Sequence, residues 1–145
     1  MTRGRKNART GVDRLEANGR LRKAKAFHRV AREALVLLEQ EGLDRAPALS
    51  NATLAAIAYV DAVTITADGS LNQKDHSTAP TLLRDCVGRD LPDGRLNDLK
   101  GLLSIKDEVQ YGARISQHDA VARALDQLDR FASWVTAWLG ARGVT

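Results

Sequence analysis

Cysteine is almost absent from this chain of 145 residues, with Cys86 standing alone. One thiol excludes an internal disulfide and a multi-thiolate zinc site. The neighbours Leu82, Leu83 and Val87 predict that it serves as a small core residue. Proline is scarce, three in all, and aromatic side chains make up only 4%. Sandwiches and barrels draw on aromatic residues, whereas a chain rich in Ala and Leu with few helix breakers predicts an all-helical protein. A long apolar run is missing too. The longest stretch nearly free of charge, residues 46–67, contains Asp61 and several Thr, Ser and Asn. It reads poorly as a bilayer span, which needs about 20 mostly apolar residues. No compact apolar segment with a cleavage site follows the basic start, so no secretory signal is read. The expectation is a soluble cytoplasmic protein without a membrane partner.

Catalytic signatures are equally sparse. The three histidines, His28, His76 and His118, occupy different segments without a His-x-x-x-His pair, so no metal and no cofactor are expected. Neither the Gly-x-x-x-x-Gly-Lys-Ser/Thr nor the Gly-x-Gly-x-x-Gly phosphate loop occurs. No serine or cysteine sits in a recognisable nucleophile motif.

What is present is charge, unevenly spread. Residues 1–32 carry eleven Lys and Arg against Asp13 and Glu16, a net +9, while residues 33–145 are net −5. Such asymmetry suggests an arm that meets phosphates, driven by counterion release. The candidate nucleic-acid contacts are Arg3, Arg5, Lys6, Arg9, Arg20, Arg22, Lys23 and Lys25. The plainer alternative is a solvated tail followed by the wet face of a helix. Residues 1–12 are expected as a basic disordered arm and residues 13–145 as a single helical domain, a length at which folding buries roughly two-thirds of the chain's surface.

The helical pattern divides that domain into five. Leu21, Ala24, Phe27, Ala31, Ala34, Leu35 and Leu38 recur at helical spacing over residues 14–41, up to a stop at Gly42. A second helix is expected from a cap at Ser50 or Asn51 to Asp68, and a third over residues 74–87, with Pro80 near its first turn or kinking it. A fourth runs over 94–111. Ser116 and Asp119 have capping-box spacing and open a fifth, whose stripe is Val121, Leu125, Leu128, Ala132, Val135 and Leu139. Trp134 and Trp138 beside it fit a dimer seam or core packing equally.

Some polar residues fall where solvent is not expected. Lys106 sits among Leu99, Leu102, Leu103 and Val109, and Asp61 among Leu54, Ile57, Ala58 and Ile65. His76 is in line with Ala79, Leu83 and Val87. An isolated buried charge costs several kcal/mol, so the pattern predicts partners. Asp61 and Lys106 are expected to meet across the interior, with His76 and either Tyr59 or Tyr111 completing a cluster. That cluster is a binding site (Asp61, His76, Lys106, Tyr111) or a network that only fixes helix register.

The order "AAIAYVDA" on the second helix, "DHSTAPTLL" on the third, "LKGLLSIKDEVQYG" and "ISQHDAVARALDQLDRFASWV" resembles HEPN domains, over roughly residues 20–140. The resemblance implies an all-α antiparallel up-down bundle of four or five helices. It further implies a homodimer from a toxin–antitoxin, defence or nucleotidyltransferase-linked bacterial system, with a cognate antitoxin or nucleotidyltransferase as partner. Many such domains are metal-independent ribonucleases that use an Arg and a His four to six residues apart. Here Arg114 and His118 are closer and straddle a loop and a helix start, so those roles are not carried over. The expectation is a non-catalytic relative that binds RNA or another nucleic acid, a nucleotide or a partner protein. The alternatives are an endoribonuclease toxin with an atypical site of His76, Lys106 and Tyr111, and a purely structural dimerisation module.

Overall fold

The computed structural model describes the backbone of residues 2–72, 75–111 and 117–145, and the side chains of 11, 13–72, 75–105 and 119–145. Among these residues it is all-helical. The α-helices are α1 (Thr2–Gln40), α2 (Ala46–Asp68), α3 (Ala79–Val87), α4 (Asp93–Tyr111) and α5 (Gln117–Gly140), with 3-10 turns at His76–Thr78 and Gly88–Asp90. The backbone of α1 takes in the stretch read as a disordered arm.

Proline and aspartate chemistry set the helix starts. α2 begins a turn earlier than the Ser50 or Asn51 cap expected from sequence. Pro47 lies in its first turn, where a missing N–H costs nothing, and the Asp44 carboxylate accepts the Ala46 N–H over 2.9 Å. It ends at Gly69, whose φ of 81° suits glycine and whose N–H donates to Ile65 O and Thr64 O. The third helix is also shorter than expected. Asp75 caps a 3-10 turn by accepting the Ser77 N–H over 3.0 Å, and α3 proper starts at Ala79 with Pro80 in its first turn. A continuous α-helix through residues 74–80 would bring the Pro80 ring against the carbonyl four residues back.

α2 lies at the centre and touches α1, α3, α4 and α5. Fourteen of its 23 residues are buried, most of them Ala, Val and Ile, so neighbouring backbones approach closely. By length and composition it is the one described helix able to cross a membrane, yet most of that stretch is buried inside the protein. The expected stripe of α5 is buried throughout, from Val121 to Leu139. On α1, Leu21, Ala24, Ala31 and Leu35 are buried, with Phe27, Ala34 and Leu38 partly so. Leu54, expected on the inner face of α2, is 43% exposed; the buried Thr53 faces inward in its place. Burial of each large aliphatic side chain contributes about 1.5–3 kcal/mol.

Charged and ring groups tie the remaining seams. Arg130 reaches the buried Asp98 through Nε (3.2 Å) and Nη2 (2.9 Å), joining α5 to α4, while Arg95 Nε lies 2.9 Å from the same carboxylate. Trp134 Nε1 donates to Asp90 O (3.1 Å) and Trp138 Nε1 to Asp90 Oδ2 (3.2 Å). Arg142 stacks 3.7 Å over the Trp138 ring and binds Asp90 as well. The two tryptophans thus clamp the α3–α4 connection onto α5. Cys86, read as a core residue, is only half-buried, with Sγ 3.6 Å from Asp68 Oδ2 at the end of α2.

Candidate functional site

Asp61 does turn inward, at 7% exposure. Its described partner comes from α1: Arg20 Nη1 donates to Asp61 Oδ2 over 3.1 Å, and Nη2 of the same guanidinium lies 3.5 Å from Glu16 Oε1. By sequence Arg20 is a candidate nucleic-acid contact or one cation of a wet helix face. It lies instead one turn before the buried Ala24 and one turn after Glu16, on the edge of α1 that meets α2. The Lys106 and Tyr111 side chains, and with them the expected Asp61–Lys106 pair, lie outside the described residues.

Burial pushes the Asp61 carboxyl above its ordinary range, opposed by Arg20 and, more weakly, by the positive charges of His76 and Lys23. His76 is not in the core as its spacing suggested. The 3-10 turn rotates it out of line with Ala79 and Leu83, which are buried, and leaves it exposed.

From that turn His76 faces a groove of about 400 Å³ between α2, the turn and α4. Lys100, Thr53, Ser77 and Ser104 share the lining with Asp75, Pro80 and Leu103. The Thr53 hydroxyl donates to Leu49 O (3.1 Å), that of Ser104 to Gly101 O (3.0 Å) and that of Ser77 to Asp75, so their oxygens are preset as acceptors. Lys100 is exposed and makes no ion pair among the described residues. The same holds for Arg22, Lys23 and Lys25 on α1, whereas the exposed Arg29 is bound to Glu33 over 2.8 Å. Side chains of Arg3, Arg5, Lys6 and Arg9 lie outside the described residues. Among those described, no three His, Cys, Asp or Glu side chains gather as metal ligands.

A second polar cluster escaped the sequence reading. His28 Nε2 lies 2.7 Å from Asp129 Oδ1 and Nδ1 lies 2.9 Å from the Tyr59 hydroxyl, while Arg32 binds both Asp129 and Asp126. Burial tends to raise the Asp129 carboxyl, but hydrogen bonds from Arg32 and His28 outweigh it and hold the group below its ordinary range. An ionised carboxylate only accepts. His28 therefore donates Nε2–H to Asp129, and its Nδ1 pairs with the Tyr59 hydroxyl. Three helices are locked by this chain. Tyr59 is 2% exposed, and burial with the Asp129 charge pushes its phenol up to about 12. It neither meets solvent nor exchanges a proton near neutral pH. The one available signal was position: His28 stands between Ala24 and Ala31 on the buried edge of α1.

Compared with protein-family models, curated proteins and solved structures, the chain matches none.

Proposed function

We propose that the protein is a non-catalytic, HEPN-like helical protein that binds single-stranded nucleic acid through a cationic surface running from α1 to α4. One observation carries this reading: His76 lines one groove with Lys100, an exposed lysine that makes no ion pair among the described residues. Lys100 is available to a phosphate, although Asp75 stands beside His76 in the same groove, and the release of counterions favours the complex. Arg22 and Lys25 are exposed on a different flank of α1 and are not part of this surface. The antiparallel up-down bundle, the homodimer and the toxin–antitoxin or defence setting belong to this proposal and are drawn from the family resemblance. Val30 and Leu37, two turns apart on α1 and 49% and 52% exposed, are compatible with a second copy.

Fluorescence anisotropy with a labelled single-stranded RNA tests it. Binding should weaken steeply as salt rises, with log K falling by about 0.7 per log unit of salt for each phosphate contact. K23Q and K100Q should each lower the affinity and flatten that slope. Salt-independent binding, or K23Q/K100Q binding as tightly as wild type, sinks the reading.

A second reading, an endoribonuclease toxin, takes its support from His76 facing the groove beside Lys100: a proton-transfer group next to a phosphate-holding cation. Metal-independent RNA cleavage by the purified protein, lost in H76A with the fold intact, would establish it over the first.

A further inference from the structure

A second, open groove of about 530 Å³ lies at the α3–α4 junction; it uses the same two helices as the cationic groove but none of its lining residues. Local sequence creates it. α3 stops at Gly88, where φ is 55° and ψ is −125°, a conformation that suits glycine. The 3-10 turn follows, and Pro92 then leads into α4. Arg84, from the last turn of α3, and Arg89, from the 3-10 turn, both line the groove. Both are exposed, and neither makes an ion pair among the described residues. Two nearby acids on these segments are occupied elsewhere: Asp90 is bound by Trp138 and Arg142, and Asp98 by Arg95 and Arg130. Across the groove, the exposed Pro92 and the edges of the largely buried Leu91 and Leu96 form an apolar floor, and Asp93 adds a single carboxylate.

Two unpaired guanidinium groups on one groove call for a doubly charged oxyanion, which Arg binds through parallel N–H donors. A bare inorganic anion leaves the apolar floor wet and most of the volume empty, whereas the volume lies in the range of small-molecule sites. We propose that this groove binds an organic phosphomonoester of nucleoside-monophosphate size. Arg84 and Arg89 hold the phosphate, the base rests on Pro92 and the edges of Leu91 and Leu96, and Asp93 accepts from a sugar hydroxyl. The site shares no residue with the nucleic-acid surface and does not depend on it.

Calorimetric titration with AMP, adenosine and inorganic phosphate tests the assignment on the full chain. AMP should bind, and adenosine and phosphate should each bind more weakly. R84Q and R89Q should each weaken AMP by about tenfold or more, while R84K/R89K, keeping charge but losing the fork, should recover part of that loss. Both arginines are exposed, so the variants should melt like wild type. K100Q should bind AMP unchanged while losing RNA affinity, which separates failure here from failure of the nucleic-acid reading. No AMP binding by wild type up to about 1 mM, an R84Q/R89Q variant that binds AMP as wild type does, or adenosine binding as tightly as AMP would overturn it.

Discussion

Arg20 on α1 and Asp61 on α2 meet 3.1 Å apart across 41 positions of chain, and the two ends of that contact differ in their access to water. Asp61 is 7% exposed, while the Arg20 side chain is 32% exposed. Removing the carboxylate leaves a guanidinium that can rehydrate. Removing the guanidinium strands a carboxylate in the interior. R20A should therefore cost roughly 2–4 kcal/mol in urea unfolding at neutral pH, and D61N less than about 1 kcal/mol. The pH dependence has a definite sign. Asp61 holds its proton more tightly folded than unfolded, because burial outweighs Arg20. Its effect on stability thus becomes unfavourable as pH rises from the ordinary value of 3.8 through the raised one, and D61N should remove that part of the fall. Equal losses for the two variants would contradict this account.

Tyr59 should resist ionisation. In Y111F, which leaves Tyr59 as the only tyrosine, absorbance at the tyrosinate band should rise with a midpoint of about 12 rather than near the ordinary 10.0. Burial is the larger cause and the Asp129 charge the smaller. D129N in that background should lower the midpoint without restoring the ordinary value. A midpoint near the ordinary value in folded Y111F would refute the burial of the phenol.

Cys86 should be a sluggish nucleophile. Burial, then the Asp68 carboxylate, pushes its thiol up to about 11, so little thiolate is present at neutral pH. Alkylation by iodoacetamide should be slower than for a free thiol at the same pH. D68N should speed it severalfold. Reaction at the rate of free cysteine, with no response to D68N, would remove the contact.

Gly101 of α4 faces Gln127 of α5 so closely that a β-carbon would lie 2.4 Å from Gln127 Nε2. The same amide has a buried Oε1 without a hydrogen-bond partner among the described residues. Alanine favours a helix interior over glycine by about 1 kcal/mol. That gain should appear in G101A/Q127A measured against Q127A. It should be largely lost in G101A alone, where the amide must be displaced. A full gain in the single variant would show that Gln127 moves freely.

How much of this could be read beforehand follows from the range of each signal. The α5 stripe was legible because period alone says which side of a helix is apolar, and every member from Val121 to Leu139 is buried. The inward turn of Asp61 was legible for the same reason. Its partner was not, since Arg20 sits among Arg22, Lys23 and Lys25 and reads as one more solvated cation, although its place one turn before Ala24 marked it apart. His76 misled because helical spacing was extended through Asp75 and Pro80. Aspartate capping and the proline ring turn that segment into a 3-10 turn and swing the imidazole outward.

The one-dimensional pattern of this chain by itself determined its helical class, the inner faces of most helices and the concentration of positive charge toward one end. Tertiary structure alone decided that Asp61 meets Arg20, that His28 joins Tyr59 to Asp129, and that Arg84 and Arg89 share a groove. The reason is physical. Helix periodicity is set by backbone hydrogen bonds within a few residues, whereas the partner of a buried charge is chosen by packing among segments far apart in the chain.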